Sequence, residues 1–358
     1  MTCEPSPRRQ DPVQRFTAFD VPNTLADGLF DATRASSEEL FALGLPPRPD
    51  ARRLPLQRQA WNRAFSQPVK VEPFAPAPNP IKFRSLVRRL NVLSLSQTRF
   101  EGSSNWSGAY ISSNRDRHLL QVWGLWQIPD GLKKPLPPFE GDPGKPFKVG
   151  TWIGLDGQRS YFDGSLPQVG TVSVLDTDGT RKAEAWVQWW AKDELGLDLQ
   201  TLSLKVQPGQ TVLCVLMVLD PQRVAAVVIN LSTIPITVQP VGIIPPFAKL
   251  PGGGAAQPKV SGATAEWVVE RPSDINADRF ENFPNYGHTQ FEFCGAVEGT
   301  HPGLPSLLHG LPMGLQGARD IRMFQTLHDP ARTQYISMPH KIDDSTLRVR
   351  YGGFRPGP

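Results

Sequence analysis

The sequence has few cysteines: among its 358 residues there are only Cys3, Cys214 and Cys294. An odd count at wide spacing supports neither a disulfide framework nor a zinc motif. Cys214 and Cys294 sit in apolar stretches and are expected as core thiols. Only six histidines occur (His118, His288, His301, His309, His328 and His340), none at ligand spacing, so no metal and no cofactor is implied. Long apolar runs are also lacking. Thr211–Leu219 (TVLCVLMVL) is far too short to span a bilayer. Residues 1–20 lack the apolar segment of a secretory signal. No membrane association is expected, and the protein is read as cytoplasmic or exported by a non-classical route. No G-x-S-x-G, H-E-x-x-H, Walker or G-x-G-x-x-G motif stands in a suitable context. Net charge is only +4. The basic excess lies in the first hundred residues (15 Lys and Arg against 9 Asp and Glu) and is scattered rather than striped, which argues against a nucleic-acid partner.

What the sequence has in quantity is turn-formers and indoles, with 37 prolines, 31 glycines and nine tryptophans. Together with short alternating segments they predict an all-β fold from about residue 101 to the end. Strands are expected at 105–111, 120–128, 149–155, 168–174, 183–190, 211–219, 224–231, 263–270 and 286–296, with turns at Asp156-Gly157, Asp176–Gly179 and Asp220–Arg223. No internal repeat is evident. In 286–296, His288, Gln290 and Glu292 alternate with Thr289, Phe291 and Phe293. In 183–190, Trp186, Gln188 and Trp190 alternate with Ala185, Val187 and Trp189. Aromatics on both faces exceed what one core needs, so one face of this strand is expected to line a groove.

Two polar residues stand out. Gln168 follows Pro167 where a polar loop (158–167) meets a strand, and pattern alone reads it as a strand-end residue. Glu266 lies between Ala265 and Trp267 in an apolar strand. There a carboxylate either alternates out to solvent or carries a raised pKa and a task.

The first hundred residues differ from the rest. Ser36–Gly44 has a Ser cap, early acidic residues and a terminal Gly, which predicts a short helix. Leu56–Phe65 predicts a second, with Leu56, Ala60, Trp61 and Ala64 on one side. The proline-rich stretch 71–80 is expected to be an extended linker.

Five motifs occur in order: NWSGA (Asn105–Ala109), WIGLDG (Trp152–Gly157), PQVG (Pro167–Gly170), AWVQW (Ala185–Trp189) and AEWVVE (Ala265–Glu270). Together, over roughly residues 103–297, they resemble the glutamic peptidases, the eqolisin or G1 family formerly grouped as A4. The resemblance implies a concanavalin-like sandwich of two antiparallel sheets, a polypeptide substrate and a catalytic Gln168–Glu266 pair. Trp152, Asp156 and Trp186 match positions lining the family's cleft. Glu184 and Gln188 stand where the fungal enzymes carry Asp and Glu. A Glu base near its reference pKa of about 4.3 favours acidic conditions. Glu270 shares the parity of Glu266 about 13 Å further along the strand, and is expected to matter much less.

Residues 1–100 are then an N-terminal extension, expected either as a propeptide that self-inhibits by covering the groove near Trp152 and Trp186 or as a poorly ordered leader. Their positive charge suits a carboxylate-lined cleft, an attraction that acid would weaken. The alternatives are a sandwich lectin stacking sugars on Trp152, Trp186 and Trp190, and an inert relative that binds peptides without cutting them.

Overall fold

Runs of Val, Ile and Trp punctuated by Pro and Gly become strands throughout the chain. A computed structural model describes residues 16–18, 28–83, 100–136, 141–142, 144–158, 165–191, 199–249, 254–273, 279–301, 304–326 and 333–356. The leader supplies β1 (Phe16–Ala18), β2 (Leu29–Phe30), the helices Ser37–Ala42 and Pro55–Ala64, and β3 (Val69–Val71). The body begins with β4 (Phe100–Ser103), β5 (Trp106–Ser112), β6 (His118–Gln127), β7 (Phe147–Leu155), β8 (Ser165–Leu175), β9 (Arg181–Ala191) and β10 (Leu199–Thr201). Next come β11 (Thr211–Asp220), β12 (Arg223–Asn230) and β13 (Ile236–Ile243), then the ribbon β14 (Ala248–Lys249) and β15 (Ala255–Ala256). The chain closes with β16 (Thr264–Glu270), β17 (His288–Gly299), the helix Leu304–Leu308, β18 (Leu311–Met313), β19 (Arg319–Thr326), β20 (Thr333–Lys341) and β21 (Leu347–Pro356).

These strands form the expected all-β sandwich. The front layer runs β10–β9–β8–β7–β16–β5–β19. The back layer runs β17–β6–β11–β12–β13. Strands β20 and β21 link β19 to β17, so hydrogen bonding is continuous around one edge. Pairing is antiparallel except for the short contacts β3–β13 and β4–β19. The inward faces share one apolar core: Ile153, Val169, Val187, Trp189 and Trp267 from the front meet Val122, Trp126, Val212, Cys214 and Val228 from the back. Two indoles tie the layers, Trp267 donating to the Trp123 carbonyl (2.8 Å) and Trp126 to the Thr171 hydroxyl (3.1 Å). Gly124 makes room for the first, since a Cβ there would stand 2.9 Å from the Trp267 ring.

The leader packs on the outer face of the back layer. Phe30, Leu40, Phe41, Trp61 and Phe65 share a second core with Trp123, Leu213, Val215, Met217, Val227 and Phe293. The first helix has a complete capping box: Ser36 Oγ accepts from the Glu39 N–H (3.1 Å) and Glu39 Oε2 from the Ser36 N–H (2.7 Å). It ends before Gly44, whose φ of +69° suits glycine. Strands β1 and β3 both pair with β13, covering its open edge.

Several local expectations change. The second helix buries Gln57, Ala60, Trp61 and Ala64, whereas Leu56 is 54% exposed. Residues 71–80 are not a free linker. Their main chain is pinned by Glu72 N–H to the Val238 carbonyl (2.8 Å), Ala77 N–H to Thr201 O (2.9 Å) and Ser203 N–H to Ala75 O (2.9 Å). Strand β8 starts at Ser165, which places Gln168 inside it. Pro167 falls one residue past the last β7–β8 pair, where a missing N–H is tolerated. In β17 the alternation breaks at a bulge after Glu292. Phe293 takes φ +52° and joins the leader-side core, while Cys294 turns to the inner one.

Candidate active site

Strand pleating decides which side chains meet on the front layer's outer face. On β7, β8, β9 and β16 the even-numbered residues point outward, opposite the inward set that includes Ile153, Val169, Val187 and Trp267. Glu266 is paired with Gly154, Gly154 with Gln168, and Gln168 with Gln188. The register thus lays Glu266, Gly154, Gln168 and Gln188 in one row. The Cα atoms of Glu266 and Gln168 are two strand spacings apart, about 9–10 Å. The residue between them has no side chain, and the space over Gly154 is taken by Leu166 and the Trp152 ring, which a Cβ there would meet at 2.8 and 3.0 Å. The next row along the strands is Val268, Trp152, Gly170 and Trp186, and the one after it Glu270, Gly150, Val172 and Glu184. Glycines 150, 154 and 170 make room for the Trp152 side chain, whose Cβ would stand 2.5 Å from a Cβ on Gly170. Trp106 from β5 meets Trp152 edge-on at 5.0 Å between ring centroids.

Glu266 is fully buried. Its Oε1 accepts a hydrogen bond from the Thr264 hydroxyl, and Thr264 Oγ1 in turn accepts from the Gln158 N–H (3.3 Å). Its Oε2 has no partner among the described residues. Burial pushes this carboxyl well above the usual range, and the nearby Asp156 charge adds to the effect. The Thr264 hydroxyl and the main chain of Gly157 and Gln158 act the other way. Gly157 comes close above it: a Cβ there would lie 3.3 Å from Glu266 Cδ. Gln168, also fully buried, donates from Nε2 to Gln188 Oε1 at 2.9 Å.

The other residues singled out from the sequence fall into two sets. Trp152, Trp186, Gln188 and Glu184 share the outer face with Gln168 and Glu266. Asp156 is turned away from that face. At φ +70° it closes β7, and its carboxylate accepts from the Ser261 N–H, the Ser261 hydroxyl (2.8 Å) and the Ala263 N–H (2.8 Å). It clamps the segment that leads into β16, and burial raises its pKa against those bonds.

Glu270, expected from the sequence to matter much less, has a defined place here, and two further neighbours, Thr264 and Trp106, were passed over. Glu270 is buried and accepts from the Trp152 indole (2.8 Å) and from Asn105 Nδ2 (3.2 Å), so it holds Trp152 in place and is not an inert neighbour. Thr264 and Trp106 were legible in principle, the first by its parity with Glu266 and the second from its place in NWSGA. Among the described residues the indole N–H groups of Trp106 and Trp186 are buried without partners.

A short piece of the leader lies on this face. Phe83 stands edge-on to Trp186 at 5.5 Å between centroids. The Ile81 N–H donates to Glu184 Oε2 at 2.7 Å, and Lys148 Nζ donates to the Lys82 carbonyl at 2.7 Å. Lys148 is held by Glu281 Oε1, also at 2.7 Å. Burial raises the Glu184 pKa, with the Ile81 N–H opposing. Among the described residues no cluster of three His, Cys, Asp or Glu side chains is arranged to hold a metal ion.

A family model for the Peptidase A4 family matches residues 104–325. Among solved structures, the chain is similar to scytalido-glutamic peptidase with a transition state analog inhibitor, at 16% identity over 69% of this chain and 98% of that one, TM-score 0.48. It is similar also to SCP-B, a member of the Eqolisin family, in complex with the tripeptide Ala-Ile-His (16% identity, 69% and 98% covered, TM-score 0.45). A third is the aspergilloglutamic peptidase from Aspergillus niger (17% identity, 57% and 99% covered, TM-score 0.42). No curated protein matches the chain.

Proposed function

Since the chain belongs to the Peptidase A4 family and is an endopeptidase by that membership, we propose that Glu266 and Gln168 are its catalytic pair. The observation that carries this reading is the buried Glu266 carboxyl, its Oε2 unpartnered among the described residues, in one row with Gln168 on either side of Gly154. A polypeptide that displaces the Leu166 side chain from over Gly154 brings its scissile carbonyl between the two. Glu266 Oε2 takes a proton from the attacking water as the oxygen bonds to the carbonyl carbon. The Gln168 amide, oriented by Gln188, donates to the developing oxyanion. Glu266 then delivers that proton to the leaving nitrogen as the C–N bond breaks. Neither a metal nor a covalent enzyme intermediate enters this scheme.

Burial changes the expected pH dependence. A base whose pKa is raised ionises later than an ordinary Glu, so the rising limb of activity falls above about pH 4.3. Because Gln188 does not titrate, the hydrogen bond that orients Gln168 persists across that range.

In this reading residues 101–358 are the peptidase domain and residues 1–100 an extension that restrains it. Ile81–Phe83 covers the Glu184–Trp186 end of the cleft, which supports self-inhibition by main-chain and aromatic contacts rather than by leader cations. The lectin alternative needs open indole faces. Trp152 is buried with its N–H on Glu270, and Trp186 is buried beneath Phe83.

The deciding experiment is cleavage of a denatured protein across roughly pH 2 to 7, with serine-, cysteine- and metallo-protease inhibitors present. Glu266→Gln is expected to abolish hydrolysis, because a carboxamide cannot take the water's proton. Undiminished activity in a folded Glu266→Gln protein would refute the pair.

A further inference from the structure

The leader's hold on the cleft is a template for what the cleft binds. Among the described residues two main-chain hydrogen bonds and one ring contact fix residues 81–83, and the Ile81 side chain packs on the same cluster. The Ile81 N–H goes to Glu184, and the Lys82 carbonyl accepts from Lys148. These are the two groups every peptide unit offers, so any extended chain can satisfy them. Both partners are preset. Glu184 stands on β9 in the third row of the cleft floor, and Lys148, at the start of β7, is fixed by its ion pair with the nearly buried Glu281. The third contact reads a side chain: Phe83 is buried against Trp186, whose unpartnered indole N–H lies on the same face. The Trp186 row is the one next to Gln168, so a chain held this way lies one row from the Glu266–Gln168 row.

From this we infer that Glu184, Lys148 and Trp186 form a peptide-binding subsite which grips two main-chain groups and prefers a large aromatic side chain on Trp186, with Ile81–Phe83 as its resident occupant. The inference rests on reading the front face as a peptidase's cleft. It adds a preference: substrates with an aromatic residue at the Trp186 seat bind ahead of those with a small one. Lys148 had no place in any motif and enters only through this geometry.

The test uses the full-length protein and two probes, acetyl-Pro-Ile-Lys-Phe-amide and its Phe→Ala analogue, with binding followed by calorimetry. In wild type the resident segment competes with the probe. In Phe83→Ala the aromatic seat is vacant, and the Phe probe is expected to bind at least about tenfold more tightly than to wild type and at least about tenfold more tightly than the Ala probe. Adding Trp186→Ala should erase the difference between probes. Should Phe83→Ala fail to fold, as judged by its melting curve, Ile81→Pro removes the N–H to Glu184 while keeping the ring, and is expected to raise probe affinity in the same direction. Equal affinities of wild type and the folded variant, or of the two probes, overturn the inference. The readout is independent of turnover. Selective binding without hydrolysis would sink the catalytic pair and leave the subsite standing, whereas hydrolysis without selective binding would do the reverse.

Discussion

Both outer faces of the sandwich are covered by the same leader, through different chemistry. On the back layer, Leu213, Val215, Met217 and Val227 meet Leu40, Phe41, Trp61 and Phe65. Donors there are mostly used within the protein: Trp61 donates to the Pro46 carbonyl, Gln57 to that of Cys294, and Gln121 to that of Leu45, while Gln57 Oε1, Gln121 Oε1, Arg48 Nε and the Trp123 N–H lack partners among the described residues. On the front layer the floor is glycine and indole, a carboxylate oxygen and two indole N–H groups lack partners among the described residues, and residues 81–83 touch only one end. Apolar area buried against apolar area stabilises permanently, since nothing in water replaces it. Unsatisfied polar groups behind a light cover cost energy until a ligand meets them. On the self-inhibition proposed above, the back cover is structure and the front cover acts as a ligand.

The largest effect expected from this contrast is on stability. Trp61→Ala should cost about 3–5 kcal/mol in a urea titration; a loss below about 1 kcal/mol would show that the leader's helices are peripheral. Next comes an effect on rate. Gln168→Ala should lower turnover about 10²–10³-fold, and a fall under about tenfold would remove Gln168 from the chemistry. A smaller effect separates the faces by pH. Unfolded Glu ionises near pH 4.3, while buried Glu266 holds its proton to higher pH. Above that reference value the unfolded state has released a proton that the folded state keeps, so stability falls as pH rises, by up to about 1.4 kcal/mol per unit. Its full contribution is present only below the unfolded pKa. Glu266→Gln removes this slope, so the variant's melting temperature should gain on wild type as pH climbs through the acid range; parallel curves would mean that the carboxyl is ionised at little cost. The smallest effect is the back-face control. Leu56→Ser, on the exposed side of its helix, should shift stability by no more than about 0.5 kcal/mol.

Local pattern made much of this readable. Period-two alternation in 183–190 correctly separates Trp189 in the core from Trp186 on the cleft face. The apolar flanks of Glu266 announce a buried carboxyl, and Ser36 with Glu39 announces a capped helix. What stayed hidden depends on partners far along the chain. Glu270 has the pattern of a spare carboxylate until Trp152, 118 residues away in sequence, claims it. Lys148 gains meaning only from Glu281 and Lys82. The bulge that flips Phe293 puts its positive φ on a phenylalanine, and Gly295, where pairing resumes, marks only its far end. A leader divided between two faces has no trace in composition, because the division is made by the sheets it meets.

The pinned run between β3 and Phe83 has one further consequence. Ile81–Phe83 is tethered on the back sheet's edge at Val69–Val71 and again at Ala75 and Ala77, so its entropy of association is spent when the chain folds. On the self-inhibition proposed above, a substrate meets a competitor whose effective concentration lies in the millimolar range for a short tether. Dilute peptides are then excluded while crowded or unfolded polypeptides, offering many segments at once, gain access. Loosening the run at Ala75–Ala77 would alter that threshold without touching a single residue of the cleft.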